Sequence, residues 1–399
     1  WLAQRYGNRR FSGLDKAAVR FVVEDPLGGD VRFDRDGLFS IGTGKGRCDD
    51  KGPDGKRKPG KCSALLVAEH LRVDENPELK PLLAETLHCD TQKGVRLTQL
   101  PEALKLITLK FGVAGQEFLF HLSLSAVGAI VAQCANRYTA GRGEKGALAF
   151  FEGYVRKGRF TDQRIIGFMR KQLQIGAVHT ESVTEIDFIF RAMQRNGTSL
   201  EDTTEFARFI LQHVYQVQEH IRDLSQAIKP DNKTHRGQNS REFVTVGLFD
   251  DCERPVRFII VDSDDPFAHR ATSYLRYDVH VIRQSTGNVQ FFANTSKGVK
   301  LHVAAAMIRW LELPSEQKTG FLDELEDAGI IEGVPHWYYF VEAQMVFNGS
   351  QTHTGVRPTG LAGQAIVDVL RHAFHPREIG KWKAERGMGR FSRQARCPE

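Results

Sequence analysis

VRFIIVDSDDPFAHRATSYL, residues 256–275, decides the fold class. Five of its first six residues are apolar and four of these are β-branched, as a buried strand requires. The run then breaks at Asp262, Asp264 and Asp265, and Pro266 opens a helical pattern. Strand, acidic turn, helix is the opening of an α/β unit. Acidic groups at the carboxyl end of such a strand suit a ligand crevice. They suit helix capping equally, since Asp264 or Asp265 can take up the N–H groups that a helix start leaves unpaired.

Working outward, further β-rich runs surround this unit: FVTVGLF (243–249), YDVHVIR (277–283), VQFFANT (289–295) and WYYFVEA (337–343). Helical patterns interrupt them near 267–275, 301–312 and 361–373, so a C-terminal α/β or α+β lobe is expected over 239–376. NTSKGVKLH (294–302) and FNGSQTHTGVRPTGL (347–361) read as polar loops joining strand to helix. Upstream, KPDNKTHRGQNSRE (229–242) has the composition of a linker. Strand signals nearly vanish between 100 and 228. Leu200–Leu224 places Phe206, Phe209, Ile210, Val214, Val217, Ile221 and Leu224 on one helical face. Residues 99–238 are therefore expected to be a helical middle domain with its linker. Residues 1–98 read as α/β, with short strands at 17–24 and 38–41 and helices at 63–72 and 77–88.

The chain has 399 residues, 41% hydrophobic, enough for several cores, and lacks an apolar run near 20 residues. A membrane span is not expected. Cys48, Cys62, Cys89, Cys134, Cys252 and Cys397 form no CxxC pair, which excludes a disulfide scaffold and points to a reducing, cytoplasmic compartment. The chain opens at Trp1 without an initiator Met or a signal-peptide pattern, so further residues are expected upstream. The net charge of +6 is local. Residues 45–61 carry seven Lys/Arg against three Asp, and the basic tail 377–399 carries seven against three Glu, a net +4 in each. Such segments either meet phosphates or are simply solvated. In the tail, Trp382 and Phe391 interleave the cations, so bases could stack there, or the rings could dock on their own chain.

Three motif candidates lie in the first hundred residues. IGTGKGR (41–47) follows an apolar run and precedes Asp49 and Asp50; its glycines permit a sharp turn whose N–H groups can hold a phosphate, and the aspartates offer hard oxygen ligands to a divalent metal. Lys45, Arg47 and Lys61 are the candidate phosphate contacts. Gly55–Ser63 nearly matches a phosphate loop, but Cys62 stands where the Mg²⁺-binding hydroxyl belongs and no buried strand precedes it. His88-Cys89-Asp90 follows a helical pattern and offers a His and an Asp to a metal from a loop. Asp262 and Asp264 complete the candidate set.

The order IGTGKGRCDDKG…KCSALLVAEHL…LHCDTQKG resembles the central part of the DHH phosphoesterase superfamily, in particular the melanocyte-proliferating-gene type and related bacterial proteins. VDSDDPFAHRATSYL…DVHVIRQSTGNVQFFANT and VFNGSQTHTGVRPTGL are similar to the second lobe of those relatives. The resemblance implies a DHH-like N-terminal α/β lobe with a two-metal Mn or Mg centre. Asp49 matches the first position of Asp-His-His, Asp50 and Lys51 occupy the histidine positions, Ser40 stands near the strand-end aspartate, and Asp90 matches the late aspartate. The metal set implied is Asp49, Asp50 and Asp90. Two readings follow: a metal-dependent phosphoesterase or exonuclease-related enzyme acting on a phosphodiester, or a catalytically inactive nucleic-acid or nucleotide-binding protein that retains the fold.

Overall fold

The computed structural model describes residues 1–7, 41, 46–52, 58–91, 96–97, 99–135, 146–158, 160–178, 182–231, 233–318, 325, 329–349, 356–361, 363–386 and 388, with backbone alone at 4, 91 and 111–122. The protein is mixed α/β and divides into two compact units, Trp1–His220 and Ile221–Glu399.

Among the described residues, the first unit carries helices and turns. They are α1 (Leu2–Tyr6), α2 (Ser63–Leu71), α3 (Lys80–Thr91), α4 (Leu100–Ala135), α5 (Ala147–Arg156), α6 (Gln163–Val178), α7 (Ile186–Arg195) and most of α8 (Leu200–Ile228). The expected strand at 17–24, positions 38–40 of the expected strand at 38–41, the glycines 42 and 44, and Lys45 lie outside the described residues, while Ile41 is exposed and in no strand. Val67, Ala68, Leu71, Leu79, Leu83 and Val131 form one buried cluster, with Trp1, Leu2 and Tyr6 packed against it. The α8 stripe folds as its spacing dictates. Phe206, Ile210, Val214, Val217 and Ile221 are all at most 2% exposed. Nearby, Asp187 Oδ1 accepts from Ala147 N at 2.8 Å, so an acidic side chain of α7 satisfies the start of α5.

The second unit is built on one sheet of eight strands: β1 (Arg236–Gly237), β2 (Ser240–Phe249), β3 (Cys252–Asp262), β4 (Val279–Arg283), β5 (Val289–Ala293), β6 (Gly329–Ile330), β7 (Trp337–Phe340) and β8 (Met345–Asn348). Their spatial order is β1-β2-β3-β4-β5-β8-β7-β6. β3 and β4 run parallel, joined by the short helix α9 (Ala268–Ser273), and every other pairing is antiparallel. A parallel pair needs such a crossover, so the quoted run 256–275 does supply the α/β unit. Phe258, Val281, Phe291, Val346, Trp337 and Tyr339 share one buried cluster with residues of α10 (His302–Glu312), α11 (Gly363–His372) and α12 (Pro376–Glu385).

Three readings of local sequence are corrected. Residues 229–242 are not a simple linker: α8 runs on to Ile228, and β1 and the start of β2 form a hairpin within that polar run, with Asn239 at φ 53° in its turn. WYYFVEA is a strand only to Phe340; the chain turns through 341–344 and MVFN returns beside it as β8. The basic tail begins as a helix. Pro376 stands in its first turn, His375 accepts from Arg377 N at 3.1 Å, and Trp382 is 1% exposed, its ring edge-on to Trp310 at 5.3 Å. Trp382 therefore belongs to the core and offers no face to a base. Phe391 lies outside the described residues. No helix among the described residues is long and apolar enough to cross a membrane.

Candidate functional site

The loop that carries Asp49 is organised by Asp49. Its Oδ1 accepts from Lys51 N at 3.1 Å, and its own N–H donates to Gly46 O at 3.2 Å. Lys58 Nζ then donates to Asp49 O at 2.7 Å and Gly46 O at 3.1 Å. Asp49 is 5% exposed, as a carboxylate spent on its own turn is expected to be. Chain 58–61 approaches α2 as a turn rather than a strand, and buried Cys62 is the residue before the first helical position. Gly55 and the positions just ahead of it, where a phosphate loop would need its strand, fall at residues 53–57, which lie outside the described residues.

Asp50 and Asp90 do share a space. A cavity of about 340 Å³ is lined by Asp50, Cys62, Ser63, Cys89, Asp90, Glu102 and Lys105, among others. His88 is not part of it. The expected loop at 88–90 is the end of α3, where His88 and Asp90 are both exposed and Cys89 is half-buried. Burial, and next the Glu85 carboxylate, push the Cys89 thiol up to about 11, so at neutral pH it is a thiol and not a thiolate. Arg47 is exposed, and Lys61 forms an ion pair with Glu69.

Next to this cavity lies a polar knot that the sequence does not announce. Glu85 Oε1 accepts from Gln99 Nε2 at 2.7 Å, Ser182 Oγ at 2.6 Å and Thr184 Oγ1 at 3.3 Å. Glu185, fully buried, takes Arg96 Nε at 2.5 Å. These partners stand more than 80 positions apart in the chain for Arg96–Glu185 and Glu85–Ser182, so no local motif could reveal them. Among the described residues, no three His, Cys, Asp or Glu side chains come together as a group that could hold a metal ion. Asp49, Asp50 and Asp90 as described do not fit a two-metal centre, which needs shared ligands around ions about 3.5–4 Å apart.

In the second unit, a polar crevice of about 470 Å³ sits at the carboxyl ends of β3 and β4, lined by Asn239, Asp262, Ser263, Asp264, Arg283, Gln284 and Ser285. Its position is that of α/β ligand crevices. Its aspartates are already engaged. Asp262 holds Arg283 by two bonds of 2.6 and 2.7 Å, and Asp264 Oδ1 accepts from Ser285 N at 2.8 Å. The Ser285 side-chain and backbone hydrogen bonds lower the Asp264 pKa. Asp265 Oδ1 accepts from Phe267 N at 2.8 Å and so closes the turn just ahead of α9, whose first residue is Ala268.

Behind the crevice, His269 Nδ1 of α9 and His280 Nε2 of β4 lie 2.7 Å apart and share a hydrogen bond. Both rings stack on Phe292, at centroid distances of 3.8 and 5.0 Å. Burial, with the neighbouring His269 second, holds the pKa of His280 well below the usual histidine range.

Compared with known proteins, the chain matches no protein-family model, no curated protein and no solved structure.

Proposed function

We propose that this chain binds a phosphate-bearing ligand, a nucleotide or single-stranded nucleic acid, without hydrolysing it, as a DHH-like protein whose N-terminal lobe no longer assembles a catalytic metal pair. One observation carries the reading: the Asp49 carboxylate is used to build the 46–51 turn through Lys51 N. A side chain that closes its own loop is a scaffold, and the turn then presents Arg47 outward from a basic segment. Lys58 strengthens the same scaffold by tying Gly46 O to Asp49 O. The ligand would be attracted by the basic 45–61 segment, with Lys45, Arg47 and Lys61 as its candidate contacts. Attraction of this kind is set by the number of phosphates neutralised and falls with salt.

A second reading is supported by the shared cavity. Asp50, Asp90 and Glu102 line one space. A Mn²⁺- or Mg²⁺-dependent phosphoesterase would use oxygens of this type, with further ligands from beyond the described residues, since these three do not by themselves come together around one ion. One experiment separates the two. Fluorescence anisotropy with a labelled oligonucleotide at low salt, with and without Mn²⁺, is expected to give binding that is metal-independent, falls steeply with salt and leaves the oligonucleotide intact. Metal-dependent cleavage of the probe establishes the second reading instead. Absence of binding at low salt removes the first.

A further inference from the structure

We propose that the chain forms a two-fold symmetric dimer through the outer face of the β2–β3 hairpin. Strand residues alternate between faces, and the even-numbered positions of β2 lie on the face opposite the buried cluster. On that face Val244, Val246 and Leu248 are 56%, 47% and 37% exposed. Three large apolar side chains in register on one strand are not the scattered apolar residues that any surface carries. Their partners across the ladder are Arg257, Pro255 and Glu253. Pro255 is also exposed, so the centre of the face is apolar on both strands.

The charges on this face identify the partner. Arg257 and Glu253 lie two residues to either side of Pro255, with side chains 53% and 54% exposed. A two-fold axis passing over Pro255 and Val246, perpendicular to the strands, reverses the strand direction in the second copy. It sets Arg257 of each copy over the partner copy's Glu253. The apolar centre meets its own image at the same time. Sheets packed face to face stand about 10 Å apart, and the Arg257 donors that Glu242 does not take can be shared with the facing Glu253. Self-complementarity of a patch, with i meeting j and j meeting i, is what a two-fold interface demands.

The ends of the face are also held in place before association. Arg257 is fixed by Glu242 at 2.7 and 2.9 Å, and Glu253 takes His375 Nε2 at 3.0 Å. Little side-chain freedom then remains to be lost on pairing. On the opposite side of the hairpin, Phe243 and Phe249 pack into the core, so the strands cannot turn over to hide the valines. The core side of β2 is tight as well: a Cβ on Gly247 would lie 2.5 Å from the Phe249 ring and 2.7 Å from Val256.

This dimer is independent of the ligand reading above. Its test is sedimentation velocity of the full chain between about 1 and 100 μM, alongside Val246→Asp, Glu253→Arg, Arg257→Glu and the double variant Glu253→Arg/Arg257→Glu. The wild type is expected to be a dimer in this range. Val246→Asp, which places an unpaired charge at the symmetric centre twice over, should weaken it about a hundredfold or more. Each single charge reversal should weaken it, because like charges then face each other, and the double reversal should restore it. Since all the altered side chains are at the surface, circular dichroism should show each variant folded. A wild type that is monomeric throughout overturns the proposal, as does a dimer that survives Val246→Asp or a double reversal that rescues nothing.

Discussion

Replacing His280 by Gln should flatten the acid dependence of the second unit's stability. The imidazole is 5% exposed, lies against Phe292 and faces His269 across 2.7 Å, so a positive charge placed on it is taken out of water. Burial first, then His269, depress its pKa in the folded state. The sign follows from linkage. Below the ordinary histidine value of about 6.5 the unfolded chain takes up a proton that the folded chain refuses, so stability is fully present above that pH and is lost as pH falls toward the folded value. One proton is worth about 1.4 kcal/mol per pH unit, and the loss from this residue alone approaches about 2 kcal/mol between pH 6.5 and 5.0. Urea unfolding followed by tryptophan fluorescence reads it, because Trp310, Trp337 and Trp382 lie in this unit and the chain has 4 tryptophans. The wild-type curve should fall more steeply with acid than that of His280→Gln over this window. Parallel curves would refute the assignment of a neutral, buried histidine here.

Trp382→Ala should cost about 3–5 kcal/mol in the same assay, as deletion of a buried Trp does; a loss below about 1 kcal/mol would return the ring to the surface tail. Asp278 is 3% exposed and accepts from Arg257 N at 2.8 Å and Arg254 at 3.2 Å, so Asp278→Asn should cost about 3 kcal/mol, whereas Asp262→Asn at the exposed Arg283 pair should cost no more than about 1 kcal/mol. Burial pushes Asp278 up, but the Arg257 N–H, Arg254 and Lys297 outweigh it and hold its pKa below the usual range. Its contribution is therefore present above about pH 3.9 and lost in stronger acid. Asp49→Asn retains an oxygen acceptor for Lys51 N and should leave oligonucleotide affinity within about twofold, whereas Asp49→Ala, which opens the turn, should weaken it; equal losses in both variants would mean that the negative charge itself is required.

Local sequence carried the second unit well and the first unit's polar contacts poorly, for one physical reason. The signal in VRFIIVDSDDPFAHRATSYL is made of neighbours: a buried strand, its acidic stop and a proline-opened helix are all decided within twenty positions, and β3, α9 and β4 follow. MVFN carries only four strand residues and sits beside a polar loop, so its pairing to β5 and β7 is set by distant strands and cannot be read from its own composition. Residues 376–385 fail in the other direction. Their charges hide an amphipathic helix whose Ile379 and Trp382 pack on the core, Trp382 against Trp310 some seventy residues away.

The same distinction separates the two kinds of aspartate among the candidates. Asp50 and Asp90 line a cavity whose remaining walls include Glu102 and Lys105 of α4, and nothing near residue 50 or 90 foretells those partners. Asp49 can be read locally, because an aspartate closing a turn onto the N–H two residues ahead is a short-range habit of its side chain. Asp265 has the same habit, accepting from Phe267 N. A carboxylate with a local backbone partner already has the hydrogen bond that would otherwise favour a ligand, and recruiting it as a ligand means giving up the turn it closes. The resemblance places Asp49 at the first position of the metal motif, while its own geometry makes it a builder of the loop. If the charge at this position were the requirement, Asn would fail where the turn survives, and the contrast between Asp49→Asn and Asp49→Ala is therefore the measurement that decides between a retained ligand and a retained scaffold.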